Sequence, residues 1–145
     1  MTKEKIEEII NSLGEFEELA LNSKVRASRK VHHIPMIDFF TDIETLNKNK
    51  QTLKNILPSK IYKNLEIYSS GNSLHGYSLT LISPKEWLDY MGRLLLTNLP
   101  NKPQLVDTRW IGHRLRAGYT SLRWSNNSKN YLASPTLIGH LDLLN

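Results

Sequence analysis

The stretch Phe39-Phe40-Thr41-Asp42-Ile43-Glu44-Thr45 sets two carboxylates two residues apart behind an apolar run. In a strand, residues i and i+2 face the same side, so Asp42 and Glu44 are expected together on one face with Ile43 on the other. Like charges that close disturb each other's ionisation unless something positive lies between them. About thirty residues on, Ser73 and His75 repeat the spacing, and about thirty after that Asp107 closes the short apolar stretch Leu105-Val106. A carboxylate at the end of an apolar strand is costly unless it is partnered. Three of them point to divalent cations: Mg²⁺ and Mn²⁺ take oxygen ligands, and Mg²⁺ completes its shell with water and substrate phosphates. Two such ions about 3.5–4 Å apart stabilise the attacking and the leaving oxygen in phosphoryl chemistry. Ser73 and His75 suit a neighbouring triphosphate as hydrogen-bond donors, and the Arg and Lys residues further on would add charge at the phosphates. Asp38, earlier in the apolar run, reads as solvent-facing or structural.

The elements that must hold these residues follow from periodicity. Ile6, Ile9, Ile10, Leu13, Phe16 and Leu19 recur at helical spacing, which predicts a helix over 2–21 capped by Thr2 and weakened by Gly14. The basic run 24–30 reads as a linker, and 33–45 as a strand that ends at the acidic pair. A helix is expected over 46–62, stopped by Pro58. Residues 65–82 read as two strands around Gly71-Asn72. Residues 83–99 read as a helix with Ser83 as N-cap, Pro84 at the first position and Glu86 at the third. Its apolar face is Trp87, Leu88, Met91, Leu94 and Leu95. Residues 104–124 start extended and end in a strand around Tyr119–Trp124. Alternating strands and helices give an α/β or α+β class.

At 145 residues the chain is long enough for one domain with a real core, and 1–145 is read as a single domain. No apolar run is long enough to span a membrane, and the charged, periodic start is unlike a signal peptide, so an intracellular, cytoplasmic site is expected. There is no cysteine, which excludes disulfides, thiolate zinc sites and iron–sulfur clusters. Nineteen Lys and Arg against fourteen Asp and Glu give +5, which permits an anionic partner. The distribution is more informative: residues 102–129 hold Lys102, Arg109, Arg114, Arg116, Arg123 and Lys129 against the single acid Asp107.

The order and spacing resemble the archaeo-eukaryotic primase superfamily, which includes primase small subunits and primase-polymerases. Its motifs are Asp-x-Asp/Glu, Ser-x-His and a hydrophobic residue followed by Asp. They match Asp42-Ile43-Glu44, Ser73-Leu74-His75 and Val106-Asp107, over about residues 34–127. The resemblance implies an α+β fold, a primase-polymerase-like core with a mixed or antiparallel sheet of the RNA-recognition-motif kind and flanking helices. It implies a DNA primase or primase-polymerase, transferring nucleotides from NTP or dNTP on a single-stranded DNA template. Asp42, Glu44 and Asp107 would be catalytic and hold two Mg²⁺ or Mn²⁺ ions. Ser73 and His75, with Arg116 and Arg123, would hold the nucleotide. Arg109, Arg114 and Lys129 would meet nucleic acid. A helicase or a larger primase subunit is the expected protein partner. The chain is short for a full member and lacks the cysteine-bearing zinc insertion that many members carry.

Two other readings compete. A primase-like accessory subunit could bind nucleic acid without catalysis. The Asp-x-Glu pair also resembles the first motif of 3′–5′ exonucleases, but no tyrosine is followed four residues later by aspartate. The single His-x-x-x-x-Asp, His33 to Asp38, lies upstream of the acidic pair. Taken alone, the pair reads most commonly as a salt-bridged surface strand end.

Overall fold

The computed structural model describes residues 2–144. Helix α1 (Lys3–Ser12) is capped as expected, the Thr2 hydroxyl accepting from the Lys5 N–H at 3.4 Å. It stops at Leu13, before Gly14, rather than running to residue 21, and buries none of its side chains fully. Strand β1 (Ala20–Asn22) follows. The basic run is not a linker but a hairpin of β2 (Lys24–Ala27) and β3 (Lys30–His33), turned by Ser28 and Arg29, both at positive φ (49° and 64°).

Strand β4 (Met36–Phe39) is shorter than expected and does not reach the acidic pair. Asp42 is instead the N-cap of α2 (Ile43–Lys48): its Oδ1 accepts from the Thr45 N–H at 2.7 Å. A short polar side chain satisfies an orphan donor at a helix start better than it suits a strand interior, so the local cap overrides the strand pattern. Ile43 then packs on the core and Leu46 is buried in it. The single helix expected over 46–62 is three: α2, α3 (Lys50–Ile56) and α4 (Ser59–Tyr62), divided at Asn49 and Pro58.

β5 (Leu65–Ser69) and β6 (Leu74–Ser78) flank the 70–73 turn. Helix α5 (Pro84–Leu96) has the full capping box between Ser83 and Glu86. Helix α6 (Thr108–Ala117), where extended chain was expected, begins at Asp107 and ends at Gly118 in the left-handed region (φ 73°). β7 (Ser121–Arg123), β8 (Thr136–His140) and a 3₁₀ turn, Leu141–Leu143, complete the chain.

The main sheet has the order β4-β6-β5-β8, every neighbouring pair antiparallel. One face carries Ile37, Phe39, Leu65, Ile67 and Leu74 into a core shared with Leu46, Leu53, Trp87, Tyr90 and Met91. Gly76 sits in register between Ile37 and Ile67. A Cβ there would lie 3.0 Å from the Phe39 ring and 3.3 Å from Leu65, so the glycine lets the core close over β6. The other face carries Met36 and Tyr77, which pack with Leu122, Tyr68, Trp110 and Trp124 in a smaller cluster beneath the β1–β7 pair. The class is α+β, as expected. Among the described residues no helix is long and apolar enough to cross a membrane.

Candidate functional site

Period-two alternation in β4 puts Asp38 on the face away from the main core. In register across the sheet it stands beside His75, which stands beside Tyr68. The chain returns along the open edge of β4: Phe40 N–H donates to the Leu105 carbonyl at 2.9 Å and Asp107 N–H to the Asp38 carbonyl at 3.0 Å. Phe39 and Val106 form the bridge between them. This short antiparallel contact brings Asp107 against Asp38. The Asp107 Oδ1 accepts from the N–H groups of Arg109 and Trp110, at 2.8 and 3.0 Å, and so caps α6.

Asp38 has no side-chain hydrogen bond or ion pair among the described residues, although it is largely buried. Burial first, and the charge of Asp107 second, push its pKa up to about 7. A carboxyl so placed is stabilised by a proton or by a cation. His75 is 6% exposed, with Nδ1 3.5 Å from the Tyr77 hydroxyl. Burial and then the charge of Arg123 pull its pKa down to about 4, with the Arg123 main chain acting weakly the other way. At neutral pH it is an uncharged ring, a donor or acceptor rather than a cation. Tyr77 is held well above its usual range by burial, with Tyr68, then Asp38, adding to the effect.

Ser73 lies on the turn before β6, its hydroxyl 3.0 Å from that of Ser70. Two open clefts meet at Asp38, Asn72 and Ser73. One, about 340 Å³, is also lined by His75, Trp110, Arg123 and Tyr131. The other, about 440 Å³, is also lined by Phe40, Asp42 and Asp107.

The other expected site residues sit variously. Asp42 is at the rim of the second cleft, and hydrogen bonds from Thr45 hold its carboxyl below the usual carboxylate range. Glu44 is on the exposed side of α2 in an ion pair with Lys48 at 2.6 Å. The two therefore do not share a strand face. Arg123 reaches the first cleft but spends its guanidinium on carbonyls, those of Ser70 (2.8 Å), Ala133 (3.0 Å) and Ser125, and stacks over Tyr131 at 4.0 Å. It staples the 70–73 turn to the 131–133 loop. Arg114 donates to the Ser121 hydroxyl at 2.7 Å, and its Nε is buried without a partner. Arg109, Arg116 and Lys129 are exposed.

Asp38 is the residue that sequence reasoning undervalued. The signal was the strand itself: in Met36-Ile37-Asp38-Phe39, alternation sets Asp38 on the face opposite Ile37 and Phe39, where a polar site can form. Two positions on, Phe40 is 63% exposed and lines the acidic cleft. A phenylalanine therefore stands where an Asp-x-Asp pair beginning at Asp38 would have its second acid. Among the described residues, no three His, Cys, Asp or Glu side chains converge closely enough to hold a metal ion. Two adjacent carboxylates nevertheless suit one hard cation that takes its remaining ligands from water and substrate phosphate. A second ion would find only Asp42, already engaged at its helix.

Residues 1–136 match the family model described as archaeo-eukaryotic primase 1D-like. No curated protein and no solved structure matches the chain significantly.

Proposed function

The chain belongs to the archaeo-eukaryotic primase superfamily, and on that premise we propose that the paired clefts bind a nucleoside triphosphate with one divalent cation and serve nucleotidyl transfer on a single-stranded template. The observation that carries this reading is Asp38: a largely buried carboxyl, without a side-chain partner, pressed against Asp107 and in register with His75. The four antiparallel strands with helices on one face are consistent with a sheet of the RNA-recognition-motif kind, which presents its ligands on the open face.

Asp38 and Asp107 would hold Mg²⁺ or Mn²⁺, which when bound neutralises phosphate charge and polarises the α-phosphate. Ser73 Oγ and the neutral ring of His75 would donate to phosphate oxygens. Tyr77, at the Nδ1 of His75, would favour the tautomer with its proton on Nε2. Arg123 would act indirectly, by fixing the 70–73 turn. Of the residues first expected as ligands, Asp107 keeps that role in this reading, Asp42 borders the site as a helix cap, and Glu44 lies outside it.

A second reading is a nucleotide- or nucleic-acid-binding accessory without transfer chemistry. Phe40 favours it, because an aromatic ring in place of an acid removes a ligand for a second ion. Extension of a labelled primer on a pre-primed single-stranded template, in Mn²⁺ with NTP or dNTP, separates the two. Extension lost in Asp38→Asn supports transfer. Metal-dependent nucleotide binding without extension supports the accessory.

A further inference from the structure

Charge in this chain is strongly segregated. Residues 19–37 and 108–141 together hold nine of its 19 Lys and Arg and none of its 14 Asp and Glu; the remainder, ten basic against fourteen acidic, is net negative. The fold joins these two acid-free segments. β1 pairs with β7 along Ala20–Arg123 to Asn22–Ser121. Ser23 and Thr120 then clamp the root of the β2–β3 hairpin to the end of α6: Ser23 N–H donates to the Thr120 carbonyl and Thr120 N–H to Ser23 Oγ, both at 2.9 Å. Beside this clamp Lys24 Nζ lies over the Tyr119 ring, 5.7 Å from its centroid.

The result is a single basic ridge. Lys24, Arg26, Arg29 and Lys30 are exposed on the hairpin, and Arg109, His113 and Arg116 follow one another at i, i+4 and i+7 along the exposed side of α6. Gly112, on the same side, would set a Cβ into open space. No Lys or Arg of the ridge is in an ion pair among the described residues, whereas five of the ten elsewhere are: Lys3, Lys5, Lys48, Lys60 and Arg93. Like charges gathered without acids repel one another, and their natural complement is a polyanion.

The scarcity of large exposed rings narrows the partner. Proteins that hold single strands combine basic charge with aromatic platforms for unstacked bases. The large exposed aromatic rings of the described residues are Phe16, Phe40 and Tyr131; none is on the hairpin or α6, and the latter two line the clefts. The rings the ridge carries are small or half-buried, those of Tyr119 under Lys24, His32 and His113. A ridge with charge but no large exposed ring suits a nucleic acid whose bases are already paired, and a two-stranded ribbon is of a size to enter a major groove. We propose that the β2–β3 hairpin and the exposed side of α6 grip the phosphate backbone of a nucleic-acid duplex. The inference rests on the preceding reading only in taking nucleic acid as the partner.

Fluorescence anisotropy with the full chain tests it, using a labelled blunt DNA duplex of about twenty base pairs, its single strand, and anionic phosphatidylserine vesicles as competitor. Each duplex phosphate neutralised contributes about −0.9 to the slope of log affinity against log salt. Replacing Lys24, Arg26, Arg29 and Lys30 together with Ala should shallow that slope by up to about 3.6 units, and Arg109→Ala with Arg116→Ala by up to about 1.8. Thermal midpoints should stay close to the parent, since these side chains are exposed. The duplex should bind more tightly than the single strand. An unchanged slope in both variants, tighter binding of the single strand, or displacement by vesicles with no duplex affinity would each overturn the proposal. Loss of duplex binding with Mn²⁺-dependent nucleotide binding intact is the result expected of the hairpin variant. A wild-type chain that binds duplex but no nucleotide would overturn the cleft reading alone.

Discussion

Asp38 and His75 are neighbours whose ionisation is displaced in opposite senses, and the consequence is measurable in the metal-free protein. Folded Asp38 keeps its proton to about pH 7 while the unfolded chain releases it from about 3.8, so folded protein binds more protons in that window and stability falls as pH rises. Folded His75 stays neutral down to about pH 4 while the unfolded chain protonates from 6.5, so there stability rises with pH. Between about 4 and 6.5 the two nearly cancel. Buried His33 is lowered in the same sense as His75, so the effect is read against the parent. Asp38→Asn should make stability climb more steeply with pH, by up to ~1.4 kcal/mol per pH unit, and His75→Gln should change the slope in the opposite direction. Urea midpoints across pH 4–7 read both. Parallel profiles for the two variants would contradict this account. The helix caps give a contrasting expectation. Asp107→Ala leaves the first N–H groups of α6 without their acceptor and should cost about 1 kcal/mol despite relieving repulsion with Asp38. Asp42→Ala should lower the melting temperature more modestly, by way of α2. The family was legible in the residues. That Asp42 caps a helix was not, because Asp-x-Glu reads equally well as strand alternation and as a helix's acidic first turn.

At the scale of elements, the periodic and capped segments were readable and the irregular ones were not. α5 announced itself through Ser83, Pro84 and Glu86, and the β5–β6 pair through Gly71-Asn72. The β2–β3 hairpin hid because its turn sets Ser28 and Arg29 at positive φ, where Gly or Asn is the expected signature. α6 hid because its apolar stripe is only Trp110, Ile111 and Leu115 and because Gly112 interrupts it; its cap, Asp107, had already been read as a strand-end ligand. The two glycines of this helix should respond in opposite directions. Gly112→Ala meets no atom within 4 Å and should stabilise by roughly 0.5–1 kcal/mol. Gly118→Ala must hold a left-handed residue at φ 73° and should destabilise by about 1 kcal/mol. Calorimetric unfolding of the two variants checks the pair, and a gain from Gly118→Ala would mean that α6 does not end where the structure ends it.

For the whole molecule, the sheet separates two environments. One face supplies the apolar core; the other brings Asp38, His75 and Asp107 together, residues that lie far apart in the sequence. The basic ridge adjoins this face: α6 begins at Asp107 and its Trp110 lines the first cleft, so a duplex on the ridge would border a nucleotide in the clefts. The most direct test of the central claim is calorimetric titration of a non-hydrolysable nucleoside triphosphate into the wild-type chain, Asp38→Asn and Asp42→Asn, with and without Mn²⁺. The wild type should bind only with Mn²⁺, Asp38→Asn should lose at least tenfold in affinity (about 1.4 kcal/mol), and Asp42→Asn should stay close to the wild type. Equal affinity in Asp38→Asn, or a loss confined to Asp42→Asn, would contradict the account and return the metal to the acidic pair at the start of α2.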